Sequence, residues 1–423
     1  MEEKYQAAIN RLAQGDPVGA LKLLEEIRGA GFENDTLLNA IGNTLKRLKR
    51  FDAAEEILKT CIQKHGKSKE SLSHLAGLYL ARKQTREAIE IYGKLVENFP
   101  EDSSLLFDLG TCYLEAREPL QAEEHFNKAL ELNNDDPRLW ANLGSVYKLA
   151  GKVEEALGCF EKASLRSPEN YTYRWNMGVC QLMLGDEING WRHFEARHHP
   201  TDQSVGLRNL PLWNGRQSLS NKRVVVFAEQ GIGDFVQFAR YISPLVNMAA
   251  SVTLACPKLL TPLAMMTCRG VSLLHSKSAC VDAEIQIGMM SLAGLFPNYS
   301  PPFLGYLHVM PAQQQQWKKW VELQDFGSMR VGVAWQGNPA YREDYLRSIA
   351  PEYLIQLAGN VGLKFVSLHR NPQPGLIGKA SACPEVLIAD TMDAVGGAFI
   401  DGAALIANLD LVITSDTSVA HVA

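Results

Sequence analysis

The chain has 423 residues, enough for two or three domains, and its 46% hydrophobic content supports large cores. A net charge of −5 excludes a general attraction to nucleic acid or to an anionic membrane. The opening residues Met1, Glu2, Glu3, Lys4 and Tyr5 lack the charged-then-apolar order of a leader, no apolar run reaches a membrane span, and the 8 cysteines contain no C-x-x-C pair. The expectation is a cytoplasmic protein in a reducing compartment, without structural zinc or another metal site.

In chain order, the first feature is a repeat. Residues 1–204 divide into six units of 34 residues without insertion or deletion. The eighth position reads Ala8, Gly42, Ala76, Gly110, Gly144, Gly178, and the twentieth reads Ala20, Ala54, Ala88, Ala122, Ala156, Gly190. The twenty-fourth reads Leu24, Leu58, Tyr92, Phe126, Phe160, Phe194. Each unit therefore predicts two helices. In the fifth, Trp140, Leu143, Gly144 and Tyr147 share one face of the first helix, and Ala156, Phe160 and Ala163 share one face of the second. Small residues at positions 8 and 20 allow the pair to approach closely, and the large residue at 24 fills the space beside them. Pro100 and Pro168 separate units, and Cys61, Cys112, Cys159 and Cys180 fall at inward or near-inward positions as small hydrophobes. The pattern resembles the tetratricopeptide repeat, with the first and last units eroded as end caps of a solenoid.

Such a solenoid offers a concave groove lined by the first helices. Position 6 lies near that side and reads Gln6, Ala40, His74, Asp108, Asn142, Asn176. His74, Asp108, Asn142 and Asn176 are thus candidates for gripping the backbone of a protein or peptide partner; the alternative is a solvated polar stripe. Phe107 and Trp175, at position 5, either anchor a partner or pack at unit junctions, with junction packing favoured.

Residues 205–221 read as an irregular connector, part of a stretch from about 200 marked by Pro200, Pro211, Asn214 and Gly215. The pattern then changes. Residues 223–228 (RVVVFA) predict a strand, 229–234 (EQGIGD) a glycine turn, and Phe235, Phe238, Ala239 and Ile242 a helix. Further strands are expected at 251–256, 271–274 and 283–287. After Pro311 and a glutamine-rich helix bearing Trp317 and Trp320, strands are expected at 330–335, 363–368, 386–388 and 411–414, with helices near 351–358 and 402–408. Alternating strands and helices predict parallel sheets. The break near 311 suggests two Rossmann-like domains, 222–310 and 311–423, facing across a cleft.

Three segments carry candidate chemistry. In the turn Gly231-Ile232-Gly233-Asp234, Val236 stands where a dinucleotide fingerprint needs a third glycine. A carboxylate at the helix start also repels a pyrophosphate. The turn is a better mount for a general base, Asp234, at the carboxyl end of a strand; the alternative is a helix cap. In the segment from Thr414 to His421, Asp416, Thr417 and Ser418 open a helix and His421 lies about one turn in, a setting suited to a diphosphate or to ordinary capping. The loop after the fifth strand holds Gln336, Gly337, Asn338, Pro339, Arg342 and Arg347, whose basic groups suit a leaving phosphate or solvent.

Taken together, residues 222–423 resemble the heptosyltransferase-like glycosyltransferases of GT-B fold, and the whole chain is similar to bacterial proteins that join tetratricopeptide repeats to such a domain. The residues that carry this are 228–241, 331–339, 347–349 and 401–421. The repeat half is also similar to that of the O-linked N-acetylglucosamine transferases. The resemblance implies inverting, metal-independent transfer of a sugar from a nucleotide-sugar to an acceptor hydroxyl, with no cofactor. Asp234 would be the catalytic base; Arg347, Asp416, Thr417, Ser418, His421, Gln336 and Asn338 would lie on the donor side. It also implies a further strand, a donor-side loop and a returning helix beyond Ala423, so the second Rossmann-like domain is expected to be incomplete. The competing expectation is a non-catalytic scaffold whose repeats bind a partner and whose transferase domain is a relic.

Overall fold

The computed structural model describes residues 1–198, 210–275, 282–299, 305–338, 341, 344–361, 363–369, 386–389, 391–393 and 399–423. Two compact units emerge, Met1–Arg197 and His198–Ala423.

The first unit is six helix pairs. The first helices are Glu2–Ala13, Asp35–Arg47, Lys69–Ala81, Ser103–Glu115, Pro137–Leu149 and Tyr171–Met183. Each is followed by a second helix: Pro17–Gly29, Phe51–His65, Thr85–Asn98, Pro119–Leu132, Val153–Arg166 and Glu187–Phe194. The local reasons recur with the period. Position 34 supplies the N-cap of the next first helix as Asn34, Ser68, Asp102, Asp136 and Asn170, each side chain accepting a backbone N–H of that helix. Position 15, between the paired helices, is left-handed in every unit: Gly15, Lys49, Lys83, Arg117, Gly151 and Gly185 have φ of 58–81°.

The packing follows from positions 8, 20 and 24. Phe126 is fully buried, and a methyl group added at Gly110 would lie 2.7 Å from its ring; Gly144 stands in the same relation to Phe160. Ala20, Ala54, Ala88, Ala122 and Ala156 are all 0% exposed. Each helix pair thus closes at a small-against-large contact, the geometry in which two helix backbones come nearest. Cys61, Cys112, Cys159 and Cys180 are buried free thiols.

The second unit holds two four-stranded parallel sheets. One is built from β1 (Arg223–Phe227), β2 (Ser251–Ala255), β3 (Val271–Leu274) and β4 (Ile285–Gly288) in the order β3-β2-β1-β4. The other is built from β5 (Val331–Ala334), β6 (Phe365–Ser367), β7 (Val386–Ile388) and β8 (Leu411–Thr414) in the order β7-β6-β5-β8. The two orders are the same pattern used twice. In register, Val224 faces Val252 and Ile285, and Val331 faces Phe365 and Leu411. The central strands β1, after its exposed first residue Arg223, and β5 are buried apolar runs, as strands covered on both faces must be.

The connector is less irregular than its composition suggests. Leu212 forms a parallel bridge to Gln286 of β4, Trp213 N–H donates to the Gln286 carbonyl at 2.9 Å, and Gln286 N–H donates to the Pro211 carbonyl at 3.0 Å. The Trp213 ring is buried beside Phe296, 6.1 Å between centroids. Pro200 lies outside the described residues. The helix Pro311–Glu322 packs Trp317 and Val321 on the second sheet with Val366, Leu368, Ala404 and Leu405, and Trp317 Nε1–H donates to Asp401 at 2.9 Å.

Candidate functional site

A parallel sheet of this order changes direction between its first and fourth strands, and the diverging loops leave a crevice at the carboxyl ends of those strands. The second unit has two such points, one at β1 and β4 and one at β5 and β8.

The first is filled by side chains. Glu229 follows β1, and Ser291 follows β4. His198 Nε2 lies 3.4 Å from Glu229 Oε2 and 3.3 Å from Ser291 Oγ, while Met290 N–H donates to Glu229 Oε1 at 3.1 Å. The His198 and Glu229 side chains are only 3% and 7% exposed. Gly288 leaves just enough space, because a methyl group there would collide with Glu229 and lie 2.6 Å from His198 Nε2.

The second is open. It forms a cavity of about 1050 Å³ to which both sheets contribute loops. From the first sheet the chain reverses at Gln230, whose φ is 52°, and enters the helix Ile232–Ala239. Gly231 is the N-cap, so Asp234 stands at the third helical position rather than capping through its own backbone. Its Oδ2 accepts the Gly231 N–H at 2.8 Å, and the side chain is half-buried on the cavity wall. Asp234 therefore fastens the turn with one oxygen while lining the cavity.

The short helix Ser418–Val422 meets this turn. A methyl group at Gly233 would lie 3.2 Å from His421 Cδ2 and 3.5 Å from Ser418 Cα, so the glycine allows the two helix starts to touch. Asp416, Thr417, Ser418 and His421 line the same cavity as Asp234. Asp416 is exposed; Thr417 is buried and uses its hydroxyl as the N-cap, accepting the Val419 N–H at 3.3 Å.

The loop after β5 supplies Gln336, Gly337, Asn338, Tyr341 and Arg347 to the cavity. Arg347 is held on two sides. Its Nε donates to Asp344 Oδ1 at 2.9 Å, and its guanidinium carbon lies 4.8 Å from the Tyr341 ring centroid. Asp344 is 4% exposed and also accepts the Ser348 hydroxyl at 3.1 Å. Gly337 is required, because a methyl group there would collide with Asp344 and sit 2.7 Å from Arg347 Nη2. Pro339 and Arg342 lie outside the described residues.

Two wall residues were not singled out in the sequence. Asp393 is buried, accepts the Phe399 and Asp401 N–H groups at 3.1 and 2.8 Å, and has its carboxyl pushed up by burial. His369 accepts the Trp335 N–H on Nε2 at 2.9 Å, and burial lowers its pKa to about 4. It stands two residues after β6, and a polar residue at the carboxyl end of a parallel strand is the signal that could have flagged it. The cavity thus combines a half-buried carboxylate at the first-sheet wall with a fixed guanidinium, neutral N–H donors and helix-start hydroxyls at the other. Such a set can take a proton from a hydroxyl and hold an oxyanion.

In the repeat unit, successive first helices lie side by side, as when Asn39 Nδ2 donates to Ser71 Oγ at 3.0 Å in the core. His74, Asp108, Asn142 and Asn176 are all half-buried. Asn142 Nδ2 donates to Thr111 Oγ1 at 3.3 Å; Asn176 donates to the Thr172 carbonyl at 3.0 Å and accepts from Lys148 at 3.2 Å. Burial pushes the Asp108 carboxyl up to about 6 against the pull of Tyr92, Arg138 and Lys46, and burial lowers His74. The Phe107 ring lies 6.1 Å from Phe126 with Arg138 over it, and Trp175 lies 6.4 Å from Phe194.

The family comparison falls in this half. The tetratricopeptide repeat family matches residues 45–109, 79–145 and 113–175, three overlapping segments whose starts are one repeat length apart. A curated relative, Protein FlbA of Caulobacter vibrioides, is 26% identical over 249 residues, 52% of this chain and 41% of that protein. The chain thus spans less than half the length of the curated relative it matches. Among solved structures, a thermophilic tetratricopeptide-repeat protein of Thermus thermophilus is 21% identical, with 43% of this chain and 98% of that one covered and a TM-score of 0.40. A tetratricopeptide repeat protein from Parabacteroides merdae is 23% identical, with 46% and 77% covered and a TM-score of 0.38. Among the described residues, no helix is long and apolar enough to cross a membrane. The helical unit is therefore a run of tetratricopeptide repeats, a class that typically binds protein partners, followed by an α/β unit with two parallel sheets.

Proposed function

We propose that residues 222–423 act as an inverting, metal-independent glycosyltransferase of GT-B type, with 222–310 on the acceptor side and 311–423 on the nucleotide-sugar side, and that the repeats hold a protein partner or acceptor. One observation carries the reading. A single cavity takes in Asp234 from the first sheet and Arg347, Gln336, Asn338, Asp416, Thr417, Ser418 and His421 from the second. These are the residues that the resemblance assigns to the base and to the donor, and Asp234 lies more than 100 residues before the others in sequence.

In this reading Asp234 takes the proton of an acceptor hydroxyl as that oxygen attacks the anomeric carbon. The bond to the nucleotide breaks on the opposite face, through an oxocarbenium-like state. Charge that collects on the departing diphosphate meets the guanidinium that Asp344 and Tyr341 hold in place, together with the Ser418 hydroxyl. The Gly231 N–H bonded to one Asp234 oxygen fixes the direction of the carboxylate, leaving the other oxygen for the proton.

The test is release of nucleoside diphosphate from a panel of nucleotide-sugars. Asp234→Asn should keep the fold and nucleoside diphosphate binding while turnover falls about 100-fold or more. Undiminished turnover removes Asp234 from the role. A wild-type protein that binds no nucleoside diphosphate at millimolar concentration leaves only the partner-binding scaffold.

A further inference from the structure

We propose that His369 is a second anchor for the diphosphate, a neutral imidazole that donates its Nδ1–H to a phosphate oxygen; this rests on the nucleotide-sugar reading above. The ring sits on the wall of the cavity that Arg347, Gly337 and Asp416 also line. Its Nε2 accepts the backbone N–H of Trp335 at 2.9 Å, so the ring's single proton is on Nδ1. Its ring centroid lies 4.2 Å from that of Trp335, which restricts rotation. Among the described residues nothing accepts a hydrogen bond from Nδ1.

The chemistry selects the ligand. With the Nε2 lone pair already used, His369 can only donate, so its partner must be an acceptor. Protonating Nε2 would break the bond to Trp335 and place a charge in a buried wall, consistent with the low pKa that burial imposes. The nearby charged groups are Asp344, which Arg347 already neutralises, and Arg347 itself. A second cation there would repel the first. A fixed neutral donor instead adds direction to the charge that Arg347 supplies, the pairing suited to a diphosphate with several oxygens to place.

Two substitutions separate this role from a structural one. His369→Gln carries its amide to the Nε2 position, where the oxygen can accept the Trp335 N–H, but it removes the donor at Nδ1. His369→Asn keeps a donor near Nδ1 and loses the acceptor for Trp335. The experiment is calorimetric titration of the full chain and both variants with the four common ribonucleoside diphosphates and with inorganic pyrophosphate. We expect affinity to fall at least tenfold in His369→Gln and to stay within a few-fold of wild type in His369→Asn. Wild-type binding with the opposite order, or with no loss in His369→Gln, overturns the role of His369 and leaves the transferase reading standing. No binding by wild type overturns both. The wild-type protein carries an independent readout: ¹⁵N-histidine spectra should show His369 as the Nδ1–H form without titration from pH 5.5 to 8. A midpoint inside that range, or the Nε2–H form, contradicts the proposal.

Discussion

The two sheets of the second unit repeat one strand order, yet their crevices differ. At β1 and β4 the space is occupied by His198, Glu229 and Ser291, with the His198 ring against both of the others. At β5 and β8 the equivalent space opens into about 1050 Å³. Topology therefore supplies two possible sites, and the loop side chains decide which one can receive a ligand. Gln230, in a left-handed conformation, separates the outcomes over one residue: Glu229 on one side turns into the filled crevice, and Gly231 to Asp234 on the other line the open one.

The comparison breaks if both crevices respond alike to substitution. Removing the plug with Glu229→Ala leaves the Met290 N–H and the His198 ring without that acceptor and should cost about 2–4 kcal/mol in denaturant unfolding, with nucleoside diphosphate affinity within about twofold of wild type. Arg347→Ala should show the reverse: affinity falls about 100-fold in calorimetry, with little change in the unfolding midpoint. Equal stability losses in the two variants would mean that the open crevice is structural too.

The repeat unit sharpens the contrast with a half-buried polar side chain of its own. Asp108 has a folded-state pKa of about 6 against 3.8 when unperturbed, because burial disfavours its charge. A raised carboxylate pKa opposes folding as pH rises. Stability is full below pH 3.8, falls between 3.8 and about 6, and stays reduced above. Asp108→Asn should therefore stabilise the protein by about 1–3 kcal/mol at pH 7.5 and not at all below pH 3.8, as thermal unfolding at both pH values would read. A gain independent of pH would refute the cause. The smallest effect concerns position 15. Lys83 holds φ of 62° where Gly15 and Gly151 do so without a side chain. Lys83→Gly should raise stability by up to about 1 kcal/mol in denaturant unfolding, and a loss would show that the lysine contributes more than its strain removes.

The legible parts of the molecule were those set by periodicity. The 34-residue step gives every helix pair, because the small residues at positions 8 and 20 and the large one at 24 are direct requirements of packing. Apolar runs likewise mark the eight strands among the described residues, within one or two residues at their ends. The caps are in the letters too: Asn34, Ser68, Asp102, Asp136 and Asn170 recur at position 34, two residues after the boundary prolines Pro100 and Pro168 where those are present. The connector looked irregular because its composition is, while Leu212 and Trp213 pair their backbone with an edge strand more than 70 residues away. At the cavity, Asp234, Arg347 and the segment from Asp416 to His421 stood out through glycine turns and helix starts. His369 and Asp344 did not, because their importance lies in partners, Trp335 and Arg347, that the fold supplies. Nothing in the spelling of a loop tells which of two crevices its side chains will fill.

The most direct test of the account is a crystal structure of the full chain with a nucleoside diphosphate. The account predicts the diphosphate in the open crevice, against Arg347 and Ser418, with Asp234 facing it across the cavity. A diphosphate bound elsewhere, or one seated with Asp234 turned out of the cavity, would contradict it.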